Sequence, residues 1–268
     1  MPILTLAGGA RLAYGDSGAG RPLVLVHGSP AEGRAWGRVA RHLAIGFRVL
    51  TPDMPGYGAS DALPAAAPPA TAAMAAAVGA LIAAMGEPVW VAGHSYGGNV
   101  ALHAALAQRA RIKGLALFEP VFFRGLELAG ERAALDSARL HFEDYVRRVE
   151  GGESAAVSRM VDFWFGAGAF DRLPAPARGF LEKTAPKNAA DVKSSFRERI
   201  GAAELAAFDR PALIAYGASS PPVVGVIATT LARLLPRAEA LSVAGGTHAM
   251  LDTHPDAVAA LINRLAVR

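Results

Sequence analysis

The stretch Val89–Leu106, VWVAGHSYGGNVALHAAL, sets a serine between a strand-like run and a helix-like one. Within it, Gly93-His94-Ser95-Tyr96-Gly97 fits the pattern G-x-S-x-G. A serine hydroxyl becomes a nucleophile where a neighbouring base can take its proton. The glycines suit a strained strand-to-helix turn in which flanking side chains would collide. Such a turn lifts the hydroxyl off a sheet and aims a helix N-terminus at it, where partial positive charge favours an oxyanion. An ordinary turn with the same residues is the alternative; Gly98 and the helix-like run after it speak against that.

Attack on a carbonyl also needs two aligned N–H donors for the developing oxyanion. The run Leu23–Trp36, LVLVHGSPAEGRAW, ends a strand at His27-Gly28, and the next amide belongs to Ser29. Ser29 and Tyr96 are the expected pair of donors, against the plainer reading of a Gly-Pro turn leading into a helix. His27 is expected to pack at its strand end. The base should lie beyond Ser95, where LSVAGGTHAMLDTHPDAV puts His248 in a Gly-rich turn after a last strand. His254 stands just before Pro255 and reads as a helix start, so His248 is the expected base. His42, His94, His103 and His141 default to structural roles.

These residues need a scaffold, and the chain supplies alternation. LVLVH, FRVLT, PVWVAG, IKGLALF, PALIAY and EALSVA read as buried strands. Helices are expected near Gly33–Ala44, Thr71–Met85, Gly98–Arg109, Val223–Leu235 and Pro255–Leu265. Strands spaced by helices imply an α/β fold with a mostly parallel sheet and helices on both faces. The first residues, ILTLAGGARLAYGDSG, can form an antiparallel hairpin at one edge. From about Phe122 to Ala207 the rhythm breaks into helix after helix with no convincing strand. Residues 1–121 and 208–268 thus read as the core, and 122–207 as an inserted helical lid.

With 268 residues, 52% of them apolar, the chain can bury a substantial core. The net charge of +4 comes from scattered arginines. No basic run interleaved with aromatics points to nucleic acid. There is no cysteine, so thiolate and disulfide chemistry are excluded, and a reducing, cytoplasmic setting fits. The first residues, MPILTLAGGARLAYG, lack the basic start and apolar stretch of a signal peptide, so none is expected. The uncharged segment Ala70–Gly86 is mostly alanine and reads as a core-packed helix, so no membrane association is expected. Neither metal-ligand spacing nor a phosphate-binding glycine loop is present, and no cofactor is expected.

The HG turn, the loop TPDMPGYGASD, the serine elbow, the helical segment and a late His in a Gly-rich turn occur in the order of the α/β-hydrolase superfamily, which the chain resembles over nearly its whole length. The resemblance implies the α/β-hydrolase fold, and it makes Asp53 a structural residue that holds backbone amides. It also exposes a gap. Most members carry the triad acid in the turn after the strand read here as PALIAY, where this chain has GASSPP. Some, haloalkane dehalogenases among them, carry it one strand earlier; here that place reads GLALFEPVFF and holds Glu119. Glu119 is therefore the expected acid, the alternative being a glutamate that only binds loop amides. Asp209 lies at the wrong end of its strand, and Asp252 is too close to His248 in sequence.

Ser at position 95 disfavours dehalogenase and epoxide hydrolase chemistry, which need a carboxylate nucleophile. The implied function is a serine hydrolase cleaving an ester or related acyl bond of a small, largely apolar molecule. Carbon–carbon bond hydrolysis, perhydrolysis, or a small-molecule receptor with a retained triad are the alternatives. VDFWFG places Phe163, Trp164 and Phe165 on one helix, and Trp164 is the expected pocket residue, against simple packing of lid on core.

Overall fold

Leu23–Val26, Val89–Ala92, Leu115–Phe118 and Ala212–Ala215 carry no charged side chain and are buried along their whole length. Strands with helices on both faces require that composition. In a computed structural model describing residues 1–43, 46–63 and 70–267, they belong to an eight-stranded sheet. Its strands are β1 (Ile3–Thr5), β2 (Arg11–Gly18), β3 (Arg21–Val26), β4 (Phe47–Pro52), β5 (Val89–His94), β6 (Ile112–Phe118), β7 (Ala212–Gly217) and β8 (Ala238–Val243). The order is β1-β2-β4-β3-β5-β6-β7-β8. The expected hairpin β1–β2 forms the antiparallel edge, and β4 through β8 run parallel.

The helices are α1 (Gly37–Ala40), α2 (Ala70–Ala84), α3 (Tyr96–Ala107), α4 (Arg124–Ala129), α5 (Arg132–Glu150), α6 (Val157–Phe165), α7 (Ala175–Ser195), α8 (Ala202–Ala206), α9 (Pro222–Leu234), α10 (Met250–Thr253) and α11 (Pro255–Leu265). Two apolar layers flank the sheet. One joins α2, α3 and α9 to the helices that follow β6; the other gathers Trp36, Val39, Val258 and Ile262 on the opposite face.

The helix expected over Gly33–Ala44 is a correction. Gly33–Trp36 is a 3-10 turn, followed by the single α turn α1. Glycines at 33 and 37 weaken a helix there, and the Gly33 amide is drawn to Asp53 Oδ1 at 2.8 Å. The end of that expected helix, Ala44, lies outside the described residues, as do 45, 64–69 and 268. The alanine-rich α2 buries Ala73, Ala75 and Ala77 and packs on α3; small side chains allow that approach. Among the described residues no helix is long and apolar enough to cross a membrane.

Between β6 and β7 the described residues form five α-helices and no strand. α5 buries Leu135, Ala138, Phe142, Tyr145, Val146 and Val149, one stripe at helical spacing. α7 packs on α2, α3 and α5, which seats this helical segment over the core. The turns after β3, β5, β6 and β8 carry Ser29, Ser95, Glu119 and His248, all at the carboxyl edge of the parallel sheet where such folds place their sites.

Candidate active site

Ser95 follows β5 and caps α3 with φ +55° and ψ −126°, a region non-glycine residues rarely occupy. The turn is held from both sides: the Ser95 amide donates to Phe118 O at 2.9 Å, and its carbonyl accepts from Gly98 N at 2.9 Å. Gly97 is required by close approach, since a Cβ there would sit 2.1 Å from His27 O. That contact brings the end of β3 against the start of α3. Tyr96, at the first position of α3, has an amide with no intrahelical acceptor. Gly28 lies close enough that a Cβ on it would stand 3.1 Å from Ser95 Cβ, and Ser29, the next residue, borders the same cavity as Ser95.

The structure brings Ser95, His248 and Glu119 into one relay. Ser95 Oγ is 3.0 Å from His248 Nε2, and His248 Nδ1 is 2.6 Å from Glu119 Oε2. Glu119 is fully buried; Ser95 and His248 are 7% and 5% exposed. A carboxylate only accepts, so His248 carries its proton on Nδ1 and turns the Nε2 lone pair to the serine. Glu119 Oε1 accepts from the Gly217 amide at 2.7 Å and from the Ser220 hydroxyl. Burial pushes the Glu119 carboxyl up, but the hydrogen bond and charge of His248, with Ser220 and Gly217, outweigh it and hold the group below its ordinary value. The turn GASSPP thus lacks an acid because it donates to one. Glu119 itself sits at φ +46°.

His27 and Asp53 have the structural roles expected of them. His27 Nε2 accepts from the Met54 amide at 2.9 Å, and Asp53 accepts from Gly33 and Ala59 amides at 2.8 and 2.9 Å. His254 lies at the N-cap of α11 and pairs with Thr253 Oγ1. Sequence reasoning missed the surroundings of the relay. His94 Nε2 donates to His248 O at 2.9 Å and its ring lies 4.9 Å from the His248 ring. Burial, then the neighbouring His248, hold the His94 imidazole down to about 3, so it is neutral. The Ser29 hydroxyl is held by Asn188 Nδ2 at 2.9 Å and Tyr57 Oη at 2.7 Å. The signal for His94 was its place inside the elbow; nothing in one sequence marks Tyr57 or Asn188.

A cavity of about 640 Å³ opens over the relay, bordered by Ser95, His94 and His248 and walled mainly by apolar side chains of the helical segment and the turn after Ser29. Trp164 lines it and stacks on the His248 ring, centroids 4.5 Å apart and planes at 15°. Phe165 also borders the cavity, whereas Phe163 packs on Phe142 and His141. A hydroxyl facing an imidazole, with a buried carboxylate behind that ring, can add to an acyl carbon as the imidazole takes its proton.

Comparisons with known proteins bear on the family and the fold. Residues 23–261 match the alpha/beta hydrolase family. Over 256 residues, 92% of this chain and 93% of the other, the chain is 31% identical to a pimeloyl-(acyl-carrier protein) methyl ester esterase of Stenotrophomonas maltophilia. A 150-residue stretch, 56% of this chain, is 37% identical to lipase LipV of Mycobacterium tuberculosis and spans 54% of that protein. Among solved structures, an alpha/beta hydrolase from Sphaerobacter thermophilus aligns over 99% of this chain and 100% of that one, with a TM-score of 0.73 and 25% identity. The enol-lactonase of Burkholderia xenovorans covers 100% of both chains with a TM-score of 0.76; at 18% identity it speaks to the fold alone. The chain belongs to the alpha/beta hydrolase family.

Proposed function

We propose that the protein hydrolyses carboxylic esters of small, largely apolar molecules through an acyl-enzyme. Ser95 Oγ bonds to the acyl carbon as His248 Nε2 takes its proton. The Ser29 and Tyr96 amides hold the oxyanion. The carbon–oxygen bond to the leaving group then breaks, and His248 returns the proton to the departing alcohol. Water, deprotonated by the same imidazole, attacks the acyl-enzyme and frees the acid and Ser95. Glu119 keeps His248 in the working tautomer and offsets its positive charge. The helical segment 122–207 acts as a lid, with Trp164 as a substrate contact. A cysteine-free chain suits a reducing cytoplasm, and the substrate is a small molecule.

The observation that carries this reading is the unbroken relay of 3.0 and 2.6 Å from Ser95 through His248 to Glu119 at the floor of an apolar cavity. The names of the esterase and lipase relatives agree with it. A fluorophosphonate probe should label Ser95, and Ser95→Ala should lose both labelling and turnover of a simple aryl ester. Equal labelling of the alanine variant would overturn the nucleophile; a single slow cycle in the parent would mark a receptor. Trp164→Ala should alter relative rates across ester chain lengths more than it lowers Tm. An unchanged preference with a large loss of stability would leave Trp164 a packing residue.

A further inference from the structure

Two cavities meet at Ser95, and they differ in size and in what they touch. The larger, about 640 Å³, borders His248 as well as Ser95. The smaller, about 20 Å³, borders Ser29, Ser95 and Tyr96 but not His248, and ends on Val121, Phe123 and Phe142. Ser29, Ser95, Met160 and Trp164 line both.

From this arrangement we infer that the site is built for esters joining a very short acyl group, acetyl above all, to a large apolar alcohol, an allocation that rests on the serine hydrolase reading above. The leaving oxygen must come within hydrogen-bond reach of His248 Nε2, because that nitrogen protonates it. The alcohol portion therefore lies on the imidazole side, in the large cavity. The acyl substituent takes the remaining direction from the tetrahedral carbon, past the two oxyanion donors and away from the imidazole. That direction leads into the small cavity. At about 20 Å³ against about 640 Å³, it is far the more restricted of the two and favours a short acyl group such as acetyl over a long alkyl chain.

The polar groups bordering the small cavity do not call for a functionalised acyl group. Asn188 Oδ1 accepts from Tyr145 Oη at 2.7 Å and its Nδ2 donates to Ser29. Asp191 accepts from Tyr57 Oη at 2.6 Å and from Lys187. The Ser195 hydroxyl donates to Asp191 O at 3.1 Å. With each group already partnered, the remaining space favours a plain methyl over a hydroxyl or an amine.

Hexyl acetate and methyl heptanoate are isomers of matched size and polarity with the short chain on opposite sides of the ester. The purified protein should cleave hexyl acetate with a kcat/KM larger by about tenfold or more, the scale on which pockets reject added methylenes. Equal rates, or a preference for methyl heptanoate, would overturn the allocation. So would cleavage of neither ester by protein whose Ser95 still takes the fluorophosphonate. Cleavage of neither by protein that also escapes labelling would overturn the serine hydrolase reading, and the allocation with it. Val121→Ala and Phe142→Leu both enlarge the small cavity, and each should raise hexyl butyrate relative to hexyl acetate several-fold. No change of that ratio in either folded variant would show that the acyl group lies elsewhere.

Discussion

Glu119 must present an acceptor on two sides at once: Oε2 to His248, Oε1 to the Gly217 amide and Ser220. A glutamine has one acceptor oxygen. In Glu119→Gln the fixed Gly217 N–H claims it, which turns the NH₂ toward His248 Nδ1 and forces the proton onto Nε2. That tautomer cannot take the serine proton, and turnover should fall on the order of 10⁴-fold. Ser220 already points at this carboxylate, so Ser220→Asp in the same background should return about tenfold, roughly 1.4 kcal/mol of barrier. Recovery should be partial, because Pro221 and Pro222 stiffen the turn. Near-normal turnover in Glu119→Gln alone would exclude it as the acid, and steady-state kinetics on both variants decide the matter. Ser95 and His248 were legible from the elbow motif and the late Gly-rich turn, and Glu119 only through the family resemblance, which allows the acid after either of two strands. Ser220, Gly217 and His94 were not, because turns distant in sequence meet only when the sheet assembles.

At the scale of elements, α7 holds the turn that carries the Ser29 amide. A chain of donors runs from Asn188 on α7 to Ser29, from Ser29 to Tyr57, and from Tyr57 back to Asp191 on α7. Thr71, on α2, adds a second tie through Ser194 at 2.8 Å. Tyr57→Phe removes a hydroxyl shared by a fully buried carboxylate and the Ser29 side chain, while keeping the ring. It should cost about 1.5–3 kcal/mol, typical of a hydrogen bond to a charged group. Urea melts should show a lower midpoint at unchanged slope; an unmoved midpoint would make the seam decorative. The sheet was legible from its short apolar runs, and the helical segment from the break in that rhythm between Phe122 and Ala207. The short turns over Gly33–Ala40 were not, because Asp53, remote in sequence, draws the Gly33 amide away from a helix. Nor does helical periodicity say which residues of α7 reach the Ser29 turn, since that depends on how the helix is seated.

The whole molecule carries an acid-sensitive core. His27 is fully buried, with Nδ1 donating to Gly28 O at 2.7 Å and Nε2 accepting from Met54, so both ring nitrogens are engaged by the neutral form. Burial, against a smaller opposing pull from the Gly28 carbonyl, holds its pKa down to about 4. In the unfolded chain a histidine titrates near 6.5. The unfolded state therefore binds the proton first. Stability is fully present above about pH 6.5 and falls with pH until the folded group titrates near 4. At pH 5 the loss from His27 is about 2 kcal/mol. His94, half-buried and held down to about 3, pulls the same way with less weight for its exposure. Glu119, with its carboxyl held below the ordinary value, adds stability that is lost only as pH falls through the carboxylate range. Urea midpoints should therefore drop between pH 7 and pH 5, before carboxylates protonate. His27→Gln keeps an acceptor for the Met54 amide and cannot take a proton, so its profile should be flatter over that interval. A variant as steep as the parent would place the sensitivity outside His27.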